Sequence, residues 1–394
     1  MDEERTLGNR FGLPWRCIRP VGPASATSAQ TVVHKRRKRL LVHAGIHKTG
    51  TSSLQRFLFS ETDELVERGL LYPRAGLNWH AHHNIAWQMT RDRRFVSSSG
   101  SIDDLAKEVA RFEGDVILSS EDLEALIDQP ERFAPLRFHP AFREHEFIVF
   151  LYVRNQSSYV ESLYFELLKH GLGDEFMAFV KPILRDRKLH LREWTFHFDY
   201  AQIYSRWTAC NWAKLVVRNY HQLARDSIVA DFCSVVCPDL IEKAEGFTLR
   251  ENTREDLNTS IARFYTNRVA RPLEPHEERA IGEICTALNG RRTTMPDDLR
   301  LIFSKTFSES NRAFCAAAGL PESGLEDMGA TPAEAIPIDS IFSFELQNLI
   351  ASGRNDVMAL IGVTPTFALP AANCNEVHAT YLVPGLGIIF CPVT

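Results

Sequence analysis

The chain has 394 residues, which is enough for one large α/β domain with additions or for two smaller domains. Hydrophobic residues make up 44% and charged residues 24% of the sequence, and the formal net charge of −5 gives no overall basic field that would favour nucleic acid as a partner. No stretch is apolar for long enough to predict a transmembrane helix, and residues 1–33 lack the apolar core of a signal peptide. We therefore expect a cytoplasmic protein, and the eight scattered cysteines, without a C-x-x-C pair, favour free thiols.

Composition divides the chain into three parts. Residues 1–37 begin without periodicity and are rich in Gly, Pro, Ser and Thr, so we predict a disordered leader. Residues 38–320 carry the regular alternation of apolar runs and helical patterns and form the predicted main domain. Residues 321–394 form a C-terminal extension in which Ala and Pro rise and charge falls after Gly329, and its role is not indicated by the sequence.

The first predicted unit is a strand, a turn and a helix. An apolar run at Leu40 to Val42 precedes a turn rich in Gly and hydroxyl residues, and a helix follows. The first N–H groups of a helix have no partner within it, and the positive end of the helix dipole lies there, so this unit is typical of phosphate binding. The candidate ligands are the Lys48 ammonium, the backbone at Gly50, and the hydroxyl and N–H groups of Thr49, Thr51, Ser52 and Ser53.

The same turn departs from the triphosphate-binding pattern G-x-x-x-x-G-K-[ST]. Gly45 and Gly50 have the required separation, but Thr51 stands where the lysine belongs, and Lys48 precedes the second glycine. Asp122 follows a predicted strand and leaves a magnesium-dependent arrangement open. The position of Lys48 nevertheless favours a phosphate that carries no γ group and needs no metal.

Further strands and helices alternate along the chain. A helix from Ser53 to about Arg68 ends at Gly69, and a strand at Val116 to Leu118 precedes a helix that Ser119 or Ser120 could cap. The longest apolar run, Glu146 to Arg154, is typical of a central parallel strand. This order predicts a three-layer α/β/α fold with a central, mostly parallel sheet and a P-loop-like phosphate-binding turn. The remaining predicted elements are a helix after Asn155, a helix at Phe198 to Trp207, a strand at Lys214 to Tyr220 and a helix at Ser227 to Val236.

Two motifs resemble those of a known family. The run Lys48-Thr-Gly-Thr-Ser-Ser after an apolar strand resembles the 5′-phosphosulfate loop of sulfotransferases that use 3′-phosphoadenosine 5′-phosphosulfate (PAPS). The second signature of that P-loop sulfotransferase superfamily is a strand ending in Arg with Ser eight residues later, and Arg154 and Ser162 have this spacing. The likeness covers roughly residues 38–317, and the segments His80–Trp87, Ser119–Glu121, Tyr200–Trp207 and Val216–Arg218 resemble the bacterial-type branch.

This resemblance implies an enzyme that moves a sulfuryl group from PAPS to a hydroxyl or amine acceptor by in-line displacement and releases the desulfated nucleotide, PAP. Lys48 would meet the charge that develops on the leaving phosphate oxygen, while Thr51 and Ser52 would hold the 5′-phosphate. Arg154 and Ser162 would grip the 3′-phosphate, and Arg250 is a further candidate for that contact. PAPS is the implied co-substrate, and no metal is expected.

The acceptor must lose a proton, so a base is needed near the sulfur. Glu121 is the first candidate, and His82 or His83 in the loop-like segment before Trp87 is the second. A structural role is expected for His47. The acceptor class, whether a small molecule, a carbohydrate or a lipid, stays open, as does a homodimer. The alternatives are a P-loop kinase-like phosphotransferase and a non-catalytic nucleotide-binding protein of the same fold.

Overall fold

The computed structural model describes residues 36–223, 227–247, 257–268, 271, 273–277, 279, 293–321, 325–326, 336–338, 364–370, 377–383 and 387–392. Residues Arg37–Thr394 belong to one unit. Arg250 and much of the C-terminal extension lie outside the described residues.

Five parallel strands form the central sheet. In chain order they are β1 (Lys38–His43), β2 (Leu70–Leu71), β3 (Asp115–Ser119), β4 (His145–Val153) and β7 (Ala213–Asn219). Strands β5 (Lys188–Leu191) and β6 (Trp194–His197) lie between β4 and β7 in the chain and form a separate antiparallel hairpin. Their order across the sheet is β2-β3-β1-β4-β7, and every neighbouring pair is parallel.

The residues of each strand alternate between two apolar layers, as the two-residue period of a strand requires. Leu40 and Val42 of β1 pack into a large cluster on one face, whereas Leu41 packs into a smaller cluster on the other. All three side chains are fully buried. Because both faces are covered by helices, the strands read as continuous apolar runs, and the predicted three-layer α/β/α class is confirmed.

Helices flank the sheet on both sides. The α-helices are α1 (Thr51–Ser60), α2 (Thr62–Glu67), α3 (His83–Thr90), α4 (Ile102–Val109), α5 (Ala134–Arg137), α6 (Gln156–Lys169), α7 (Phe176–Asp186), α8 (Tyr200–Thr208), α9 (Ile228–Val236), α10 (Ile241–Gly246), α11 (Leu257–Arg268) and α12 (Asp297–Ala318). Short 3₁₀ helices lie at Ser97–Ser99, Glu121–Leu126, Pro130–Phe133, Pro140–Phe142, Tyr220–Gln222 and Pro238–Leu240.

Short strands lie in the C-terminal part of the chain. Strands β8 (Thr293–Thr294) and β9 (Ile336–Pro337) pair in parallel. A separate antiparallel sheet consists of β10 (Thr364–Pro370), β11 (Val377–Val383) and β12 (Gly387–Pro392). Within the described ranges, no helix has the length and apolar character needed to cross a membrane.

Two local predictions were wrong in detail. The helix predicted from Ser53 to Arg68 is interrupted at Glu61, so that α1 and α2 are separate, although Gly69 follows them with the expected positive φ of 74°. Neither Ser119 nor Ser120 caps a helix: the segment that follows is the 3₁₀ helix Glu121–Leu126, and no side chain in the described structure caps it. Each hydroxyl forms a hydrogen bond with a histidine instead: the Ser119 hydroxyl with the imidazole of His43, and the Ser120 hydroxyl with the imidazole of His83.

The sheet topology reverses between β1 and β4. From β1 the chain passes to β2 and β3 on one side, and then crosses to β4 and β7 on the other. In open α/β sheets, ligands bind at the carboxyl ends of the strands where this reversal occurs. The predicted phosphate turn follows β1, and Arg154 follows β4, so both lie at this reversal point.

Candidate functional site

The turn between β1 and α1 has three residues in the left-handed region of backbone conformation. They are Gly45 (φ 48°), Lys48 (φ 65°) and Gly50 (φ 81°). A Cβ atom on Gly50 would lie 3.1 Å from Ile228 Cγ2, so this position needs glycine for space as well as for conformation. Gly50 is the N-cap of α1, and within the described residues no side chain caps that helix. A helix N-terminus without a side-chain cap is a common place for an anion to bind, which is consistent with the predicted phosphate turn.

The hydroxyl residues of the turn are not equivalent. The Thr49 hydroxyl is buried and donates a hydrogen bond to the Ile46 carbonyl at 2.6 Å, so it braces the turn. Thr51 is also buried, Ser53 is half-buried and Ser52 is exposed. Of the four hydroxyl residues predicted to contact a ligand, Thr49 could therefore contact it through its backbone N–H group but not through its hydroxyl.

Lys48 reaches across to helix α6. Its Nζ lies 2.9 Å from Glu166 Oε2, and both side chains are about one-third exposed, at 30% and 29%. Glu166 also contacts Lys169 at 3.0 Å and His170 at 3.7 Å. The hydrogen bond with His170, together with the charge and hydrogen bond of Lys48, outweighs burial and holds the pKa of the Glu166 carboxyl well below its usual range. An anionic ligand in the turn would compete with Glu166 for the Lys48 ammonium.

Arg154 connects the two predicted halves of the site. Its Nη1 donates to the Lys48 carbonyl at 2.8 Å, although the two residues are 106 positions apart in the chain. Its Nε donates to Ser158 Oγ at 3.1 Å, and its guanidinium lies 5.4 Å from the centre of the Tyr220 ring. His221 Nε2 is 3.2 Å from the same Ser158 hydroxyl.

Arg154 contacts Ser158, which lies four residues before the predicted phosphate ligand Ser162. Ser162 is half-buried and lies one helical turn further along α6, on the same face as Ser158. Tyr220 and His221 were not among the sequence candidates. They could have been found by position, because they follow β7 directly, as Arg154 follows the neighbouring strand β4.

A cluster of acids and histidines lies on the other side of the turn. Glu121 accepts a short hydrogen bond from Gln55 of α1, and its Oε2 is 4.0 Å from His83 Nε2. His83 Nδ1 lies 3.0 Å from Ser120 Oγ and 3.3 Å from Asp122 Oδ2. The structure therefore brings the two leading candidates for the base, Glu121 and His83, into one ion pair.

Opposite charges stabilise the ionised forms in this cluster. Burial raises the pKa of Glu121, but His83, His47 and the Gln55 amide outweigh it, so its pKa lies below the ordinary value. Burial likewise opposes a charged His83, yet Glu121 and Asp122 raise the pKa of its imidazole. The pKa of Asp122 falls to about 2 because the hydrogen bond and charge of His83 outweigh its burial. At neutral pH Glu121 is thus ionised and able to accept a proton.

His82 has a structural role. Its Nδ1 accepts a hydrogen bond from the Ser119 backbone N–H at 3.2 Å, and its Nε2 donates to the Pro73 carbonyl at 2.9 Å. The side chain is only 1% exposed, and burial lowers its pKa to about 4. Both ring nitrogens are therefore engaged with backbone, and His82 is not available as the proton acceptor.

Asp122 lines a small pocket together with Trp87, Arg94 and Trp194. It accepts a hydrogen bond from Trp87 Nε1 at 2.6 Å, and the Arg94 guanidinium lies between the rings of Trp87 and Trp194, 4.8 and 5.2 Å from their centres. Among the described residues, no group of three or more His, Cys, Asp and Glu side chains has an arrangement that could hold a metal ion.

No protein-family model matches the chain, and a search of curated proteins returned no match. The geometry and charge of the site are therefore what bear on function.

Proposed function

We propose that the chain is a sulfotransferase of the P-loop superfamily, which transfers a sulfuryl group from PAPS to a hydroxyl or amine acceptor. One observation carries the proposal: the Arg154 guanidinium, at the end of β4, donates to the carbonyl of Lys48 in the turn after β1. A cationic side chain at the end of β4 thus contacts the main chain of the turn that carries a second cationic residue, Lys48, whose own ammonium pairs with Glu166. A nucleotide with one phosphate at each end needs such a pair of anion sites.

The residues present fit the chemistry of PAPS. The turn offers the N–H groups at the start of α1 and the Lys48 ammonium to a 5′-phosphosulfate. Arg154, Ser158 and His221 offer donors to a 3′-phosphate, with Ser162 one helical turn away. Thr51 and Ser52 lie at the N-terminus of α1, where the 5′-phosphate would be bound.

The transfer asks the protein mainly for position and charge. The acceptor oxygen attacks sulfur, and the bond between sulfur and the bridging oxygen breaks, with its electron pair leaving on the 5′-phosphate of PAP. Lys48 stabilises that growing negative charge after leaving Glu166. The proton of the acceptor hydroxyl goes to the Glu121 carboxylate, which the neighbouring His83 keeps ionised.

The small pocket lined by Trp87, Asp122 and Trp194 lies beside this carboxylate cluster. The acceptor in this proposal is a small molecule, a carbohydrate or a lipid. The enzyme itself would act in the cytoplasm, as a monomer or as a homodimer. The competing kinase-like function would use Asp122 for magnesium, but Oδ2 of that carboxylate accepts a hydrogen bond from Trp87 and contacts His83. A non-catalytic nucleotide-binding protein would not need the Glu121–His83 pair.

A calorimetric titration with PAP, and in parallel with ATP and magnesium, tests the proposal. We expect PAP to bind without metal, and Arg154→Ala to weaken binding by about tenfold or more, because a hydrogen bond to a charged group contributes roughly 1.5–3 kcal/mol. Arg68→Ala is the matched control. Arg68 pairs with Glu64 at 2.8 Å and precedes β2, at the opposite edge of the sheet.

Arg68→Ala should leave PAP affinity within a few-fold of the parent. Preference for ATP with magnesium would favour the kinase-like function instead. Binding of PAP with no transfer of label from PAPS across a broad acceptor screen would favour the non-catalytic alternative.

A further inference from the structure

His47 and Lys48 are adjacent in the turn, but their side chains diverge. Lys48 pairs with Glu166, whereas His47 turns towards Glu124 in the 3₁₀ helix after β3. The His47 backbone N–H donates to Glu124 Oε2 at 2.9 Å, and its Nδ1 lies 2.6 Å from the same oxygen. Since a carboxylate oxygen accepts, Nδ1 carries the proton, and the tautomer of His47 is set by Glu124.

Glu124 is itself held from several directions. Its side chain is fully buried, and its carboxylate also accepts from the Tyr159 hydroxyl of α6 at 2.9 Å and from the His197 backbone N–H of β6 at 2.8 Å. A buried carboxylate with this many donors cannot rotate without leaving them unsatisfied. The imidazole of His47 is therefore fixed in one orientation, with the Phe196 ring edge-on at 5.0 Å.

The free edge of the His47 ring faces the acid cluster. Its Nε2 is 3.9 Å from Asp122 Oδ1, and the same aspartate contacts His83 and lies 3.9 Å from Arg94. Glu121 precedes Asp122 in the chain, and electrostatic interactions with His83 and His47 lower the pKa of its carboxyl group.

Glu121 has other titratable neighbours. It interacts electrostatically with His43 of β1 and with Tyr72 after β2, and it accepts a hydrogen bond from the uncharged Gln55 of α1. Burial lowers the pKa of His43 to about 4 and raises that of Tyr72, so both are neutral at physiological pH. Among the residues that the structure describes, the histidines with raised pKa values that interact with Glu121 are His83 and His47.

We propose that Glu124 and His47 form a positioning pair, in which the buried carboxylate holds a protonated imidazole beside Glu121 and so keeps Glu121 ionised as the proton acceptor. The proposal rests on the proposed function, because Glu121 receives its proton from the attacking hydroxyl of the acceptor. In that step the oxygen–hydrogen bond breaks, its proton passes to Glu121, and the new oxygen–sulfur bond forms. His47 takes no part in bond making.

The charges support this role. Burial lowers the pKa of His47, but the hydrogen bond to Glu124 and the charges of Glu124, Glu121 and Asp122 outweigh it and raise that pKa above 6.5. Replacing Glu124 by a neutral amide removes the largest of these favourable contributions, and His47 then loses its proton at a lower pH. Glu121 loses one of its two facing cations, so its own pKa rises.

The pH dependence of turnover by the full-length protein is the first test. We expect Glu124→Gln and His47→Gln each to move the acidic limb of the kcat profile to higher pH by roughly one pH unit. At pH values on the acidic side of the optimum, kcat should therefore fall about tenfold relative to the parent. PAP affinity should stay within a few-fold of the parent. Tyr159→Phe is the matched control, because it removes a donor from the same carboxylate but leaves the contact between Glu124 and His47 intact.

A second readout needs no turnover. The ring protons of His47, assigned by their loss in His47→Gln, are titrated by NMR without ligand. We expect the His47 pKa above 6.5 in the parent and in Tyr159→Phe, and a lower value in Glu124→Gln. Should Glu124→Gln not fold, His47→Gln carries the kinetic test.

An acidic limb that stays in place in both variants, or a His47 pKa at or below 6.5 in the parent, would overturn the pair. If the parent shows the raised His47 pKa but transfers no sulfuryl group to any acceptor, the proposed function fails while the electrostatic pair stands. If transfer occurs and His47 titrates at or below 6.5, the pair alone fails.

Discussion

Glu121 is the residue on which proton removal depends in the proposed mechanism. It sits between a hydrogen-bond donor, Gln55, and the cation of His83, with the main chain of the phosphate turn close by: a Cβ atom on Gly45 would lie 3.7 Å from Glu121 Cα. A carboxylate in this position is ionised before the acceptor arrives, and it needs no rearrangement to take up a proton.

We expect Glu121→Gln to lower turnover by about 10²-fold or more, because general-base catalysis contributes roughly 10²–10⁴ and the amide cannot accept the proton. PAP affinity should change little, since the amide keeps the shape of the side chain and lies away from Arg154. Initial rates with labelled PAPS and calorimetry with PAP measure the two quantities.

Turnover of Glu121→Gln within a few-fold of the parent would make Glu121 the wrong base and move attention to His83. In that event His83→Gln, which leaves the hydrophobic neighbours in place, should show the loss instead.

Short-range spacing predicted the strand, the turn and the helix around Lys48 and Gly50, but it could not identify the partners of the side chains in that turn. Lys48, Gly50 and Arg154 were recognisable because each follows a strand or opens a helix. Glu124 and His197 were not, since their burial depends on contacts 73 positions apart in the chain. The contact between Arg154 and Ser158 also depends on side-chain reach, which the spacing of residues along one helix face does not predict.

At the scale of the element, the start of α6 sets the position of Arg154. Asn155 is the N-cap: its Oδ1 accepts from the Ser158 N–H at 3.2 Å and from the Ser157 hydroxyl at 2.7 Å, while its Nδ2 donates to the Leu325 carbonyl at 2.8 Å. This buried amide thus connects the end of β4, the first turn of α6 and a distant loop.

Asn155→Ala should lower the free energy of unfolding by about 1–2 kcal/mol, the usual cost of losing an N-cap. PAP affinity should fall several-fold as well, because Arg154 and Ser158 flank the cap. Denaturant unfolding and calorimetry measure the two effects.

Ser101→Ala provides the comparison. Ser101 caps α4 through a capping box with Asp104, so its loss should cost a similar free energy and leave PAP affinity unchanged. Equal losses of affinity in the two variants would mean that the Asn155 effect is only one of stability.

The strands of the sheet were predictable as elements because each is a continuous apolar run buried on both faces. The order β2-β3-β1-β4-β7 was not, since nothing in the composition of an apolar run says which neighbour it pairs with. The break at Glu61 was missed for a similar reason: Leu65 continues the apolar spacing beyond it, so the pattern alone reads as one helix.

At the scale of the whole molecule, buried histidines make stability depend on pH. Burial lowers the pKa values of His43, His82 and His197 to about 4, below the 6.5 of an unfolded histidine. Their contribution to stability is present above about pH 6.5 and is lost as pH falls from there through about 4, because the unfolded chain then binds protons that the folded chain excludes. His47 and His83, with raised pKa values, act in the opposite sense: their contribution is present below 6.5 and is lost as pH rises through their folded pKa values.

We therefore expect the free energy of unfolding to fall between pH 6.5 and pH 5, by on the order of 2 kcal/mol for each of the three buried histidines, partly offset by the other two. Denaturant titrations at several pH values measure this. In His82→Gln the free energy of unfolding should depend less steeply on pH, because unfolding of this variant takes up one proton fewer. A free energy of unfolding that is flat from pH 7 to pH 5 would contradict the assignment.

The parallel pairing of β1 with β4 has a consequence for how the protein folds. Lys38 pairs with His145 across the sheet, so a loop of more than a hundred residues closes before the two strands meet. Parallel pairings of this kind are slow to form, since the loop entropy is lost before the contacts are gained. During synthesis the phosphate turn emerges early, but Arg154 follows only seconds later at ordinary elongation rates. If PAP binds as proposed, it would bind only the late state in which the sheet is complete, and we expect it to slow unfolding without accelerating refolding.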